Sequence, residues 1–163
     1  MTALHATCVS LAGAGVLLRG PSGSGKSDLA LRLIDGGALL VADDQVILEM
    51  RGGALRARAP ERLAGYLEVR GIGLLPVPHA PDVRLVLVAD LTAPGAEVER
   101  LPDPATVDLL GRSVPRIALD PFAASAPAKL RLALRAAAVG QPPVPARFAA
   151  VAADAAIAAV GEG

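Results

Sequence analysis

The chain has 163 residues, with 16 Lys and Arg balancing 16 Asp and Glu, so its zero formal charge offers no basic field for nucleic acid or an anionic membrane. Apolar residues make up 53% and aromatics 2%, which predicts a single domain with a smooth core of Ala, Leu and Val. No apolar run is long enough to cross a bilayer, the N-terminus lacks the basic-then-apolar order of a signal peptide, and the lone Cys8 excludes an internal disulfide; these predict a soluble cytoplasmic protein.

In chain order, Ala3 to Ser10 reads as a first strand, followed by a tight turn at Gly13 and Gly15. Cys8 in that strand is expected to be a small buried hydrophobe rather than a reactive thiol. His5, in the same strand, carries no functional signal by itself. Gly15 to Leu18 is a second short apolar strand. From Lys26 the apolar residues Leu29, Leu33 and Ile34 recur at helical spacing, which predicts a helix to Asp35 stopped by Gly36-Gly37.

Between that strand and helix, Gly20-Pro21-Ser22-Gly23-Ser24-Gly25-Lys26-Ser27 fits the phosphate-loop pattern G-x-x-x-x-G-K-S at every fixed position. The pattern has a mechanical basis. Its glycines let successive N–H groups turn into one concavity, and the helix start adds unpaired N–H groups and a positive dipole end. Lys26 can then reach the outer phosphates of a nucleotide, and the Ser27 hydroxyl can ligate Mg²⁺. The competing reading is a Gly/Ser turn with a surface lysine. Against it stand the flanking strand and helix, and the scarcity of lysine: Lys26 and Lys129 are the only two in an arginine-biased chain. The motif predicts a nucleotide-binding protein.

Ala38 to Ala42 is a continuous apolar run, the pattern of a strand buried on both faces, and it completes a right-handed strand–helix–strand unit. Asp43 and Asp44 should therefore emerge at the carboxyl end of a central strand, on the sheet edge that carries the loop. One carboxylate there can hold Mg²⁺ and the other can hold or deprotonate a nucleophile; the alternative is a polar turn. Val46–Met50 and Leu55–Ala57 predict a hairpin around Arg51-Gly52-Gly53, and Pro60-Glu61-Arg62 a short helical turn. In the stretch 65–75 Glu68 and Arg70 would share one strand face, either as an ion pair or as site residues; the spacing does not choose. Pro76 to Pro81 reads as a rigid loop with His79 exposed, and Arg84–Leu91 as the clearest remaining core strand. Gly95 to Asp103, with Arg100, is a loop or edge hairpin. Val114–Leu119 is a strand and Pro127 to Val139 a helix. A GQPPVP linker and an Ala-rich helix over about 146–160 end the chain, without internal repeats.

Three segments, LHAT at 4–7, GPSGSGKSDLALRLIDGGALLVADD at 20–44 and LEVRGIGLL at 67–75, resemble the catalytic domain of HPr kinase/phosphorylase, the bacterial regulator that phosphorylates a serine of the phosphocarrier protein HPr. VERLP at 98–102 and LLGRSVPRIAL at 109–119 extend the likeness more weakly. The resemblance implies an α/β fold, a P-loop kinase of the phosphoenolpyruvate carboxykinase-like type with a central mixed sheet and flanking helices. It implies one domain over 1–163, with a core at about 3–140, in a short form without the family's separate N-terminal domain. It also implies ATP and Mg²⁺ as cofactors, an HPr-like phosphocarrier as partner, and a homo-oligomer, hexameric in the family, although part of that contact surface falls in segments that differ here.

By the same resemblance, residues 20–27 bind the ATP phosphates, and Ser27, Asp43 and Glu68 hold Mg²⁺. One of Asp43 and Asp44 takes the serine proton, with Asp44 favoured as base and Asp43 nearer the metal. His5 orients or tunes the carboxylate, and Arg70 and Arg100 stabilise charge on the transferring phosphoryl group. One departure matters. Where the family has a Pro-Val-Arg-Pro-Gly-Arg segment tied to phosphorolysis of phosphoserine, this chain has Leu119-Asp120-Pro121-Phe122-Ala123-Ala124-Ser125, with no arginine. A second phosphate then has less to hold it, so kinase activity is expected with weak or absent phosphorolysis. Two other readings of the nucleotide site are a P-loop kinase of a small-molecule hydroxyl and a non-catalytic ATP-sensing module.

Overall fold

The structure, a computed structural model, describes residues 1–141; the predicted helix over about 146–160 lies outside the described residues. In chain order the elements are β1 (Thr2–His5), β2 (Thr7–Leu11), β3 (Ala14–Arg19), α1 (Lys26–Asp35), β4 (Leu39–Ala42), β5 (Gln45–Arg51), β6 (Ala54–Arg58), β7 (Tyr66–Val69), β8 (Gly73–Pro76), β9 (Asp82–Leu91), β10 (Ala105–Leu109), β11 (Arg112–Leu119) and α2 (Ala126–Ala138). Nine strands make one mixed sheet in the order β1-β5-β6-β9-β3-β2-β4, with β11 also on β9 and β10 on β11. The hairpin β7–β8 stands apart from it.

β9 is the axis of the sheet because Leu85 to Ala89 is apolar without interruption and is buried throughout. β3 runs parallel along one of its edges. The other edge is shared: Asp82–Arg84 pair with β6, and Val88–Leu91 pair with β11. Sharing one edge between two strands lets the sheet split and fold over, bringing β5 against β2 and β6 against β4. Two apolar layers result. Leu29 and Leu33 of α1 and Leu130 and Leu134 of α2 pack on Val16, Leu18 and Leu87 on one face, while Cys8, Leu17 and Val88 meet Val46, Leu48 and Leu55 on the other. Each such leucine contributes about 1.5–3 kcal/mol by leaving water. Neither described aromatic residue, Tyr66 or Phe122, lies in either layer. Cys8 is fully buried, and burial pushes its thiol pKa far up, which makes it the inert hydrophobe its sequence context predicts. Among the described residues, no helix is long and apolar enough to cross a membrane.

Four expectations need correction. The first strand is two: the chain leaves β5 after His5 and joins β3 and β4 from Thr7, with Ala6 at the break. The following turn consists of Ala12 and Gly13, both with positive φ, whereas Gly15 lies within β3, where a side chain would meet Val83 Cγ1 at 2.5 Å. β4 is not central but ends the sheet, because β2 inserts between it and β3. Its run is apolar since Leu40 joins the helix-side layer and Val41 and Ala42 the folded-over layer, while Leu40 also exchanges main-chain hydrogen bonds with Pro78 and Ala80. Finally, 65–75 is a hairpin, with Arg70 in its turn beyond the end of β7. One strand has no precursor in the sequence reading: β10, an exposed partner of β11 that shows little apolar alternation.

At the loop edge the parallel strands are clamped together. Arg19 Nε donates to Asp90 Oδ1 at 2.7 Å, and Arg116 Nε donates to Oδ2, joining the ends of β3 and β9 to the middle of β11. Partial burial pushes the Asp90 carboxyl up, but the two guanidinium hydrogen bonds outweigh it and hold the group below the ordinary carboxylate range.

Candidate active site

The phosphate loop occupies the step from the end of β3 to the start of α1. Gly25 caps the helix with φ +97°, and a Cβ there would press on Phe122 Cζ and Pro121 Cγ at 3.2 and 3.3 Å. The conformation requires glycine at that point, and the space is tight besides. A Cβ at Gly20 would meet Ser24 Oγ at 2.5 Å, so the loop's first glycine is fixed by contact. The loop wraps the Lys26 ammonium, which donates to Gly20 O at 2.6 Å and to Pro21 O at 2.9 Å. Burial lowers the Lys26 pKa, opposed by the nearby Asp44 and Asp43 charges.

The two aspartates that follow β4 are turned to opposite surroundings. Asp43 points inward: Ser27 Oγ donates to its Oδ1 at 2.8 Å, Thr7 Oγ1 to the same oxygen at 3.1 Å, and the Glu68 amide to Oδ2 at 3.3 Å. Asp44 points outward. Its φ is +66°, and its main-chain oxygen accepts from the Ala6 amide at 3.2 Å, which carries the β2–β4 pairing past the strand ends. Its carboxylate, 73% exposed, lies 3.1 Å from His5 Nδ1. On its other side His5 Nε2 is 3.4 Å from Ser22 Oγ of the loop.

One cleft of about 580 Å³ is lined by His5, Ser22, Lys26, Ser27, Asp44, Glu68 and Arg70 among others, while Asp43 lies behind it, bonded to Ser27. Glu68 and Arg70 do reach the same space, one from β7 and the other from the turn after it; no ion pair joins them among the described residues. Arg100 is exposed in the segment between β9 and β10 and does not line the cleft. Sequence reasoning missed Thr7, a strand residue that closes the LHAT segment of the resemblance but has no chemical signal of its own. It also missed Leu31 and Phe122, which are cleft walls. Phe122 brings the Leu119–Ser125 segment into the site, and Arg32 of α1 donates to Pro121 O there.

The donor set fits a hard cation. Among the described residues no three His, Cys, Asp or Glu side chains converge into a protein-only cage. What is present is a hydroxyl already bonded to a carboxylate, Ser27 to Asp43, with the Glu68 carboxylate on the same cleft. Few protein oxygens, completed by phosphate oxygens, is how Mg²⁺ is held at nucleotide sites.

Residues 1–119 match the family model described as HPr Serine kinase C-terminal domain. The chain is 35% identical over 127 residues to an HPr kinase/phosphorylase of Brevibacillus brevis, covering 71% of this chain and 41% of that protein. It is 38% identical over 126 residues to an HPr kinase/phosphorylase of Burkholderia lata, covering 71% and 39%. The chain thus spans about 40% of the length of the curated relatives it matches. Among solved structures, the Hpr(Ser) kinase/phosphatase from Coxiella burnetii superposes with a TM-score of 0.73 at 28% identity, over 83% of this chain and 95% of that one.

Proposed function

The chain belongs to the HPr serine kinase C-terminal domain family, and from that premise we propose that it is an ATP-dependent protein kinase that phosphorylates a serine of an HPr-like phosphocarrier. The observation that carries this reading is that Lys26, Ser27 and Asp44 line one cleft, with Asp43 hydrogen-bonded to Ser27 behind its wall. Residues 20–27 hold the ATP phosphates through main-chain N–H groups and the Lys26 ammonium. The Ser27 hydroxyl and the Asp43 and Glu68 carboxylates hold Mg²⁺, which when bound supplies neutralising charge to the phosphate oxygens. Asp44, exposed and not committed to the loop, is the base. It accepts the proton of the acceptor serine as the serine oxygen bonds to the γ-phosphorus and the bond to the β–γ bridging oxygen breaks, leaving ADP. His5 orients the Asp44 carboxylate from 3.1 Å away. Arg70 stabilises charge on the transferring group.

A protein acceptor suits the approach to Asp44. This open carboxylate shares its cleft with the exposed ring of Phe122, an apolar wall beside the proton-accepting group. Incubation with labelled ATP, Mg²⁺ and an HPr-like phosphocarrier tests the reading: label on a serine supports it, and label only on a small hydroxyl compound, or on nothing, rejects it. The arginine-free Leu119–Ser125 segment, packed on Gly25, supports weak or absent phosphorolysis. Efficient pyrophosphate release from the phosphorylated carrier and inorganic phosphate would reject that part alone.

A further inference from the structure

We infer that Thr7 is a positioning residue whose hydroxyl holds Asp43 in register for the Mg²⁺–nucleotide complex, an inference that rests on the ATP-site reading above. Thr7 opens β2 and stands one position beyond the Cys8–Ala42 pair of the β2–β4 ladder, which puts it across from Asp43. Strand alternation does the aiming. Cys8 packs into the folded-over layer, so Thr7 and Val9 face the side that carries α1, where Ser27 lies.

Thr7 is fully buried. A hydroxyl so placed needs a partner, and its one proton goes to Asp43 Oδ1 at 3.1 Å. That oxygen also accepts from Ser27, while Oδ2 accepts from the Glu68 main chain. The carboxylate torsion is soft and roughly two-fold, so three donors on two oxygens are what fix its plane. They are not equivalent. Ser27 has its own part in holding the cation and Glu68 contributes only its amide here. Among the described residues, Thr7 is the side-chain donor to Asp43 with no other role in the cleft.

The ordinary account is a buried threonine that found a convenient acceptor. The two accounts separate in Thr7→Val, which keeps the shape and removes the hydroxyl, and Thr7→Ser, which keeps the hydroxyl and removes a methyl. The readout is the thermal unfolding midpoint with a non-hydrolysable ATP analogue, followed against Mg²⁺ concentration. We expect T7S to half-saturate with the wild type and T7V to need roughly tenfold more Mg²⁺, the scale on which outer partners of metal ligands act. Nucleotide-free midpoints should change far less; should T7V fold poorly, Thr7→Ala provides the same hydroxyl loss. A T7V curve coincident with wild type overturns the inference, as does T7S shifting as far as T7V. A wild-type midpoint indifferent to Mg²⁺ would reject the ATP-site reading itself, and the role of Thr7 with it.

Discussion

Asp43 and Asp44 are neighbours in sequence with the same side chain, yet the fold gives them opposite lives. Asp43 is nearly buried, with its carboxylate taken up by Ser27, Thr7 and the Glu68 amide. Asp44 is largely open, with His5 as its companion. The difference comes from one backbone step, the left-handed φ of Asp44, which sends the second side chain away from the first. Chemistry follows from surroundings: an enclosed, fully hydrogen-bonded carboxylate suits a fixed cation, and an open one can receive a proton and release it.

The largest way to break this contrast is Asp44→Asn. It should lower phosphoryl transfer on the order of 10³-fold while ATP binding, read by equilibrium titration, changes little. Unchanged transfer would remove Asp44 as base. Asp43→Asn should act on binding instead, raising the Mg²⁺ requirement for nucleotide by roughly 10–100-fold. Should D43N bind Mg²⁺ and nucleotide normally but lose transfer, the two roles would have to be exchanged. His5→Ala should cost about 1 kcal/mol, or five- to tenfold in transfer rate, and should add nothing further in the D44N background. An additive double variant would mean that His5 does not act through Asp44.

The smallest effect sharpens the comparison with a third carboxylate on the same sheet edge. Asp90 is bonded to two arginines and serves structure. Its folded pKa is depressed, so its contribution is fully present above the unfolded carboxylate range and is lost as pH falls through the lowered folded value. Asp90→Asn should therefore lower stability by roughly 1 kcal/mol at neutral pH, the scale of a part-exposed pair, and less in acid. Transfer activity should not change. Chemical denaturation at neutral and acidic pH, alongside the transfer assay, checks both statements.

Much of this was legible in the sequence where information is local. The phosphate loop, α1 from Lys26 to Asp35 and the aspartates after β4 are written in adjacent residues, and the structure has the loop and helix where the pattern put them and the aspartates after their strand, though that strand ends the sheet. What was not legible depends on pairing across the chain. Nothing in residues 3–10 marks Ala6, because the break there is a change of partner from β5 to β3 and β4. The apolar run of β4 looked central since a strand covered on both faces has one pattern whether it lies in the middle or at the end of a sheet. Thr7 escaped for a related reason: a threonine is ordinary in a strand, and only the β2–β4 register sets it against Asp43. Arg100 rested on the weakest stretch of the resemblance, and it lies outside the cleft.

The left-handed residue at position 44 also bears on engineering. Besides Asp44, the non-glycine residues with positive φ among those described are Ala12 and Leu110, and both lie in two-residue hairpin turns. Asparagine and glycine tolerate that geometry more readily than other side chains. A library sorted only for heat resistance would therefore drift toward Asn or Gly at 44, and under the base role proposed for Asp44 those sturdier molecules would lose transfer. Selection for robustness in this scaffold needs a turnover screen beside it, or position 44 withheld from variation.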